Sequence, residues 1–343
     1  MIVIRVDANE NIGTGHVMRC LSIASWIQDL NDDVFFVVAD ERSMRMIEEQ
    51  GYQTVCLHSK WDDLDQEIEI MFKLIEEFSV SKILIDSYFV TEKYLNALRK
   101  RTAIFYIDDL NRIPYSVDIL INYNIYGPGS NYSRIDKKLL LGTRYAPLRR
   151  QFTGIEKRTF NGIRRIMITS GGTDNYDMIG RILSKLLSNK AYQDKRYYCV
   201  LGRFNKNVDK INKKFSGWKD VYLCQNIKNI DFYMKECDIA ITAGGSTIYE
   251  LCACGIPSIM YTFADNQLGN ASAFSSKGII PWVGDVREEI DVCLDKILYE
   301  IRRLEDPDRW EQQSRTMQSI VDGNGALRIA REIVDYDVRH RSL

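Results

Sequence analysis

Three short segments combine glycines, hydroxyls and one histidine at spacings that suit chemistry on a phosphorylated ligand. The first, Gly13-Thr-Gly15-His16-Val-Met-Arg19, follows the apolar run Ile2–Val6 and opens a helical pattern. Gly13 and Gly15 let the backbone bend and come close to a ligand. His16 falls in the first turn of the helix, where the positive end of the dipole favours the uncharged ring that a general base needs. Arg19, three residues on, shares that helix face and suits an anion. The G-x-G lacks the third glycine of a dinucleotide fingerprint. His16 could simply cap the helix, but its place beside two glycines at a strand–helix junction favours the base. His58 and His340 read as surface residues.

The second segment is Ser170-Gly171-Gly172-Thr173-Asp174-Asn175. The third is Thr242-Ala-Gly244-Gly245-Ser246-Thr247-Ile-Tyr-Glu250. Such loops, ahead of a helix, offer backbone N–H groups and hydroxyls to a phosphate. Glu250, one turn into its helix, can accept both hydroxyls of a ribose. Each loop alone could be a tight turn whose glycines serve packing; two in one half of the chain favour the ligand. Asn266-Gln267 offer amides to sugar hydroxyl or acetamido groups, or flank a helix cap at Asp265. Ile85-Asp86-Ser-Tyr88 and Ile107-Asp108-Asp109 sit at further strand ends. Their aspartates could bind a metal or cap the next segment; capping is favoured, and no divalent ion is inferred.

These loops need a frame. Short β-branched runs (Ile2–Val6, 34–38, 54–57, 83–86, 103–107 and 119–122) alternate with amphipathic stretches at 17–30, 64–77 and 92–101. The pattern resumes with strands at 165–169, 197–201, 221–223, 239–242 and 258–261, and helices at 178–188, 231–235, 247–254 and 271–276. Such alternation predicts parallel βαβ units, with ligands at the carboxyl ends of the strands. The rhythm breaks around residues 145–162, so the predicted domains are 1–157 and 158–343. The last helix, at 326–336, could pack back across either domain.

Composition narrows the functional classes. The 343 residues carry 46 basic and 47 acidic side chains, which leaves no excess to neutralise a nucleic-acid backbone. Apolar runs stay well below the roughly 18–20 residues of a membrane-spanning helix, and the chain opens on a strand rather than a signal peptide. A cytoplasmic protein without stable membrane insertion is expected; no signal fixes its oligomeric state. Eight cysteines include no C-x-x-C pair, and with three histidines they assemble no zinc constellation.

Taken together, Arg5-Val-Asp7, Ile12-Gly-Thr-Gly-His-Val-Met-Arg19, Ile85-Asp-Ser-Tyr88, Ile107-Asp-Asp109, Leu141-Gly-Thr-Arg-Tyr-Ala-Pro-Leu-Arg149, Gly244-Gly-Ser-Thr247 with Glu250, Ala264-Asp-Asn-Gln267 and Asp322-Gly-Asn-Gly325 resemble the UDP-sugar hydrolases of the pseudaminic acid pathway and related spore-coat polysaccharide proteins. More distantly, the second half is similar to the UDP-N-acetylglucosamine transferase of peptidoglycan synthesis. The resemblance implies an α/β fold of the glycosyltransferase-B type, two Rossmann-like domains facing across a cleft. It implies hydrolysis of UDP-2,4-diacetamido-2,4,6-trideoxy-β-L-altropyranose at the anomeric C–O bond, with inversion and with neither metal nor other cofactor, UDP-sugar and UDP being the partners. Carried over, His16 activates water; Gly245, Ser246 and Thr247 hold the diphosphate; Glu250 holds the ribose and the backbone near Ile227 the uracil, with Gly244, Gly171 and Gly172 also in the UDP site. Gly13, Gly15, Arg19, Tyr88, Asn266 and Gln267 face the sugar or its phosphate. The rivals are a glycosyltransferase with a UDP-N-acetylhexosamine donor, a hydrolysing 2-epimerase, and a non-catalytic sugar-nucleotide sensor.

Overall fold

A computed structural model describes residues 1–132, 138–225, 227 and 229–340, with the His340 side chain outside this set. The chain divides into two compact units: Met1–Arg150 with Asn324–Leu343, and Gln151–Gly323.

The first unit is built on a seven-stranded parallel sheet: β1 (Ile2–Val6), β2 (Val34–Val38), β3 (Thr54–Cys56), β4 (Lys82–Asp86), β5 (Ala103–Ile107), β6 (Ile119–Asn122) and β7 (Lys138–Leu141), in the order β3-β2-β1-β4-β5-β6-β7. Helices cover both faces, so the central strands are apolar throughout rather than alternating. β1 is buried along its whole length, and its single charge, Arg5, is fully buried. That burial is tolerable because Glu67 accepts from Nε (2.8 Å) and Nη2 (2.6 Å) and Asp7 from Nη1 (2.5 Å).

The second unit repeats the plan with six parallel strands: β8 (Arg165–Thr169), β9 (Arg196–Leu201), β10 (Val221–Gln225), β11 (Ile239–Ala243), β12 (Ser258–Thr262) and β13 (Trp282–Asp285), ordered β10-β9-β8-β11-β12-β13. Its core unites Ile166, Ile168, Ile241 and Ile259 from the strands with Ile182 and Leu186 from the helix Met178–Leu187.

Several features depart from the sequence reading. The helices Val208–Phe215, Ile290–Leu304 and Pro307–Ile320 are unforeseen. β7 and β13 are unforeseen; both are four-residue edge strands with partly exposed positions, so neither carries a long apolar run. Asn324–Leu343 does not group with the second unit but with the first, where the helix Gly325–Val334 packs on the helix Gly15–Asp29. Gly325 permits this: a Cβ there would lie 2.2 Å from the Ala146 carbonyl oxygen. Lys82 then donates to the Val334 carbonyl at 2.5 Å and anchors the far end of the helix.

Candidate active site

In both sheets the strand order reverses direction once, between β1 and β4 and between β8 and β11, and the carboxyl ends there form the usual ligand crevice of open α/β sheets. In the first unit, β1 leads through the 7–14 loop into the helix Gly15–Asp29, and β4 ends on Asp86. His16 and Asp86 therefore meet at the reversal. The imidazole Nδ1 lies 2.6 Å from Asp86 Oδ1. Arg19, one helical turn on, sends Nε to Asp86 Oδ2 and Nη2 to Oδ1, both at 2.5 Å. Its Nη1 reaches Asp109 Oδ2 at 2.9 Å and the Tyr123 hydroxyl at 2.6 Å. Nη2 also lies 3.1 Å from His16 Nδ1, because both donors converge on one carboxylate oxygen.

This arrangement settles which ring nitrogen is available. Burial works against the Asp86 charge, but the Arg19 guanidinium and the His16 hydrogen bond outweigh it and hold the carboxyl well below the usual carboxylate range. An ionised Asp86 only accepts, so Nδ1 carries a proton, and in the neutral ring Nε2 is the nitrogen with the lone pair. Tyr88 presses on the ring edge-on, centroids 4.5 Å apart at 81°. The ring is 4 % exposed, and the groups around it are polar. His16 does not cap the helix: Thr14 holds that position without a side-chain bond.

Several expectations change here. The helix end does not act on His16 alone, since the Asp86 carboxylate touches the ring. Arg19 is not a free anion contact; three side chains already occupy its guanidinium, which is 8 % exposed. The two neighbouring aspartates part company. Asp108 caps as expected, accepting from Leu110 N (2.9 Å) and Asn111 N (3.0 Å), whereas Asp109 belongs to the histidine cluster. Asp86, Asp109 and Tyr123 were missed as site residues. Their signal was positional: they stand at or just past the carboxyl ends of β4, β5 and β6, three neighbouring strands on one side of the reversal. Gly13 adopts φ +75°, a conformation that needs glycine, and its N–H closes the loop onto Asn9 O at 2.8 Å.

In the second unit the loops after β8 and β11 lie side by side. Gly245 has open space where a Cβ would stand, so its backbone is open to a ligand. Gly244 instead packs, a Cβ there lying 3.3 Å from Met260 Sδ and Thr262 Cγ2. Ser246 leads into the helix Thr247–Ala253 with its hydroxyl free of any capping bond, and Glu250 lies in the first turn. The Ser170 loop is tied down locally: Ser170 Oγ meets the Tyr261 hydroxyl at 2.7 Å, and Gly171 N donates to Thr169 Oγ1 at 3.2 Å. Gly202 abuts it so closely that a Cβ would fall 2.1 Å from Gly171 O. The packing constraint therefore falls on Gly202; Gly171 itself has open space where a Cβ would stand and adopts φ +75°, so the turn is what requires glycine there. Asn266 is exposed at the start of the helix Asp265–Ser276, while Gln267 is buried and its Oε1 accepts from Phe263 N at 2.9 Å. That oxygen holds the loop rather than a sugar. Ile227 is not at the reversal; it follows edge strand β10 and lines a cavity of about 300 Å³ with Asn229, Phe232 and Tyr233. All eight cysteines are unpaired. No helix among the described residues is long and apolar enough to cross a membrane.

Comparison with known proteins agrees with this layout. Residues 165–316 match the glycosyltransferase family 28 C-terminal domain. An uncharacterized protein of Methanocaldococcus jannaschii is 26% identical over 275 residues, 76% of this chain but only 55% of that protein. The spore coat polysaccharide biosynthesis protein SpsG of Bacillus subtilis is 22% identical over 96% of both chains. The UDP-2,4-diacetamido-2,4,6-trideoxy-beta-L-altropyranose hydrolase of Campylobacter jejuni is 26% identical over 81% of this chain and 97% of its own. Among solved structures, MurG of Acinetobacter baumannii superposes with a TM-score of 0.71 at 12% identity, covering 98% and 99% of the two chains. The UDP-GlcNAc 2-epimerase of Neisseria meningitidis does so with 0.63 at 13%, covering 98% and 100%. The fold is thus of the glycosyltransferase-B type, with two Rossmann-like units.

Proposed function

We propose that this chain, a relative of the spore-coat and UDP-sugar hydrolase proteins whose second unit is a glycosyltransferase family 28 C-terminal domain, is an enzyme that hydrolyses a UDP-linked diacetamido-trideoxy sugar. The observation that carries this reading is the 2.6 Å bond between His16 Nδ1 and Asp86, with Arg19 clamping the carboxylate. It gives the chain one buried, oriented base whose Nε2 can take a proton.

Water loses a proton to Nε2 while its oxygen bonds the anomeric carbon; the bond from that carbon to the diphosphate oxygen breaks, and its electron pair leaves with UDP. The transition state is oxocarbenium-like, and attack opposite the leaving group inverts the centre. UDP departs as a stabilised anion, so electrostatic support at a helix end can replace an acid. In this reading the open backbone at Gly245 with Ser246 and Thr247 supports the diphosphate, Glu250 the ribose, and Tyr88 and Asn266 the sugar. Asp86 fixes the tautomer, as the aspartate of a Ser-His-Asp triad does, and the Arg19 clamp holds Asp86 in place.

The test is a panel of UDP-sugars incubated with the protein and water alone, with NMR of the first-formed anomer. Release of a free diacetamido sugar of inverted configuration, with UDP, supports the reading. A second reading, transfer of the sugar to an acceptor alcohol, is favoured by the family of the second unit. It predicts no free sugar until an acceptor is added. A 2-epimerase would instead exchange the C2 proton in deuterated water.

A further inference from the structure

Arg19 stands between two carboxylates, and only one of them touches the histidine. Nε and Nη2 hold Asp86, while Nη1 holds Asp109 Oδ2 at 2.9 Å. Asp109 is fixed from behind: Asn124 donates to its Oδ1 at 2.9 Å, and the Tyr126 hydroxyl donates to its backbone carbonyl at 2.7 Å. The side chains of Asp109 and Arg19 are 9% and 8% exposed, so solvent screens little of what passes between them.

The charges in this cluster do not balance while the ring is neutral. His16 is faced by Asp86 from the end of β4, by Arg19 from its own helix and by the Tyr88 ring from the loop after β4. Behind these lie the Cys20 thiol, 3.5 Å from Asp86, and the Tyr123 phenol on Arg19. Burial pushes both the thiol and the phenol up, so neither carries charge at neutral pH. Two carboxylates on one guanidinium leave a single negative charge. A proton on His16 cancels it.

We propose that Asp109 is a positioning residue for His16: acting through Arg19, it keeps the cluster one charge short of neutrality so that the ring gains by taking the proton from water. Its effect on turnover rests on the hydrolytic reading above; its effect on the ring's own titration does not. Asp86 alone would be matched by Arg19, and the ring would face a neutral pair. With Asp109 present the protonated ring completes two ion pairs.

The test is Asp109→Asn, which keeps the size of the side chain and an oxygen for Nη1 but removes the charge. The pH midpoint of the His16 ring is read from its carbon–proton NMR signals, assigned with His16→Asn. It is expected to fall by about one unit, because the nearby anion is gone. The acid limb of kcat moves down with it, and KM for the UDP-sugar stays within about twofold. Tyr123→Phe, which removes a neutral bond from the same guanidinium nitrogen, is expected to leave the midpoint in place. Asp109→Ser serves in the same comparison should the asparagine variant not fold. An unmoved midpoint in a folded, uncharged variant overturns the proposal, as does an equal shift in Tyr123→Phe. A midpoint that falls in a protein releasing no sugar from any UDP-sugar upholds the assignment of Asp109 and removes the hydrolytic reading instead.

Discussion

The two sheets share one strand order up to their sixth strand, yet the residues at their reversals differ in kind. Between β1 and β4 the first unit places side chains that bond one another: His16 to Asp86, Asp86 to Arg19, Arg19 to Asp109 and Tyr123. Between β8 and β11 the second unit places glycines and hydroxyls, with open space over Gly245. One topology thus carries a bonded side-chain network at one reversal and glycine-rich loops at the other. Proton transfer needs a ring locked in one tautomer by buried partners, which only a side-chain network supplies. Holding an anion by the backbone needs side chains to be absent. The loop residues, rather than the strand order, make the two reversals differ.

The comparison breaks most visibly at the ring itself. His16→Asn removes the proton acceptor but leaves an amide that can still donate to Asp86, so the first unit keeps its fold. Turnover is expected to fall about 10²–10⁴-fold, while calorimetric binding of UDP is unchanged. Turnover near that of the unaltered protein would place the chemistry elsewhere.

Asp86→Asn strikes the same network one step back. The amide can hold the ring in either tautomer and leaves the Arg19 charge half matched, so kcat is expected to fall about 10²-fold. A second effect follows from the sign of the carboxyl's shift. Asp86 titrates lower in the folded chain than its usual value near about 4, so its ionisation stabilises the fold above that pH. The contribution is lost as pH drops below about 4 towards the lower folded value. Urea unfolding followed from pH 5 downwards should therefore show the unaltered protein losing stability more steeply than Asp86→Asn in that window. Parallel curves would deny the carboxylate its role in the fold.

How much of this the sequence disclosed differs between the units for the same reason. Glycine-rich loops are legible locally: Gly244-Gly245-Ser246-Thr247 stands out from its own residues, as a backbone site or as a tight turn. His16 was legible too, as a polar ring at a strand–helix junction. Its network was not, because the partners lie 70 and 67 residues from one another along the chain for His16–Asp86 and Arg19–Asp86, and 90 for Arg19–Asp109. Asp86 and Asp109 were visible as strand-end aspartates, but a cap and a charge partner look alike until strand order is known. Once β1 is seen beside β4, Asp86 has to meet the first helix. The central strands, apolar on both faces, announced themselves; edge strands β7 and β13 are short and half exposed, and did not. The last helix read as able to pack on either domain, and Gly325 did not decide between them, since the need for it arises only from the Ala146 carbonyl it meets.

The second unit sharpens the contrast with smaller effects. Gly245→Val adds a side chain into space that nothing in the protein occupies, so the fold should keep its melting temperature. If the backbone there approaches a diphosphate, UDP affinity should drop about tenfold, equivalent to about 1.4 kcal/mol. Unchanged affinity by calorimetry would remove this loop from the nucleotide site while leaving the histidine network untouched.

The neighbouring glycine carries the finest distinction. A Cβ at Gly244 would stand 3.3 Å from Met260 Sδ and Thr262 Cγ2 and 3.4 Å from Gln267 Cβ, so these neighbours must give way by a few tenths of an ångström. Gly244→Ala is therefore expected to cost about 1 kcal/mol of stability as a mild overpacking, read as a lower urea midpoint. UDP affinity should stay within about twofold, because the strain falls on β12 and the buried Gln267 rather than on the face open to a ligand. The two adjacent glycines then separate cleanly, one sensed by the fold and the other by the nucleotide. Were Gly244→Ala to weaken UDP as much as Gly245→Val while leaving stability intact, packing and binding would have been assigned to the wrong members of the pair.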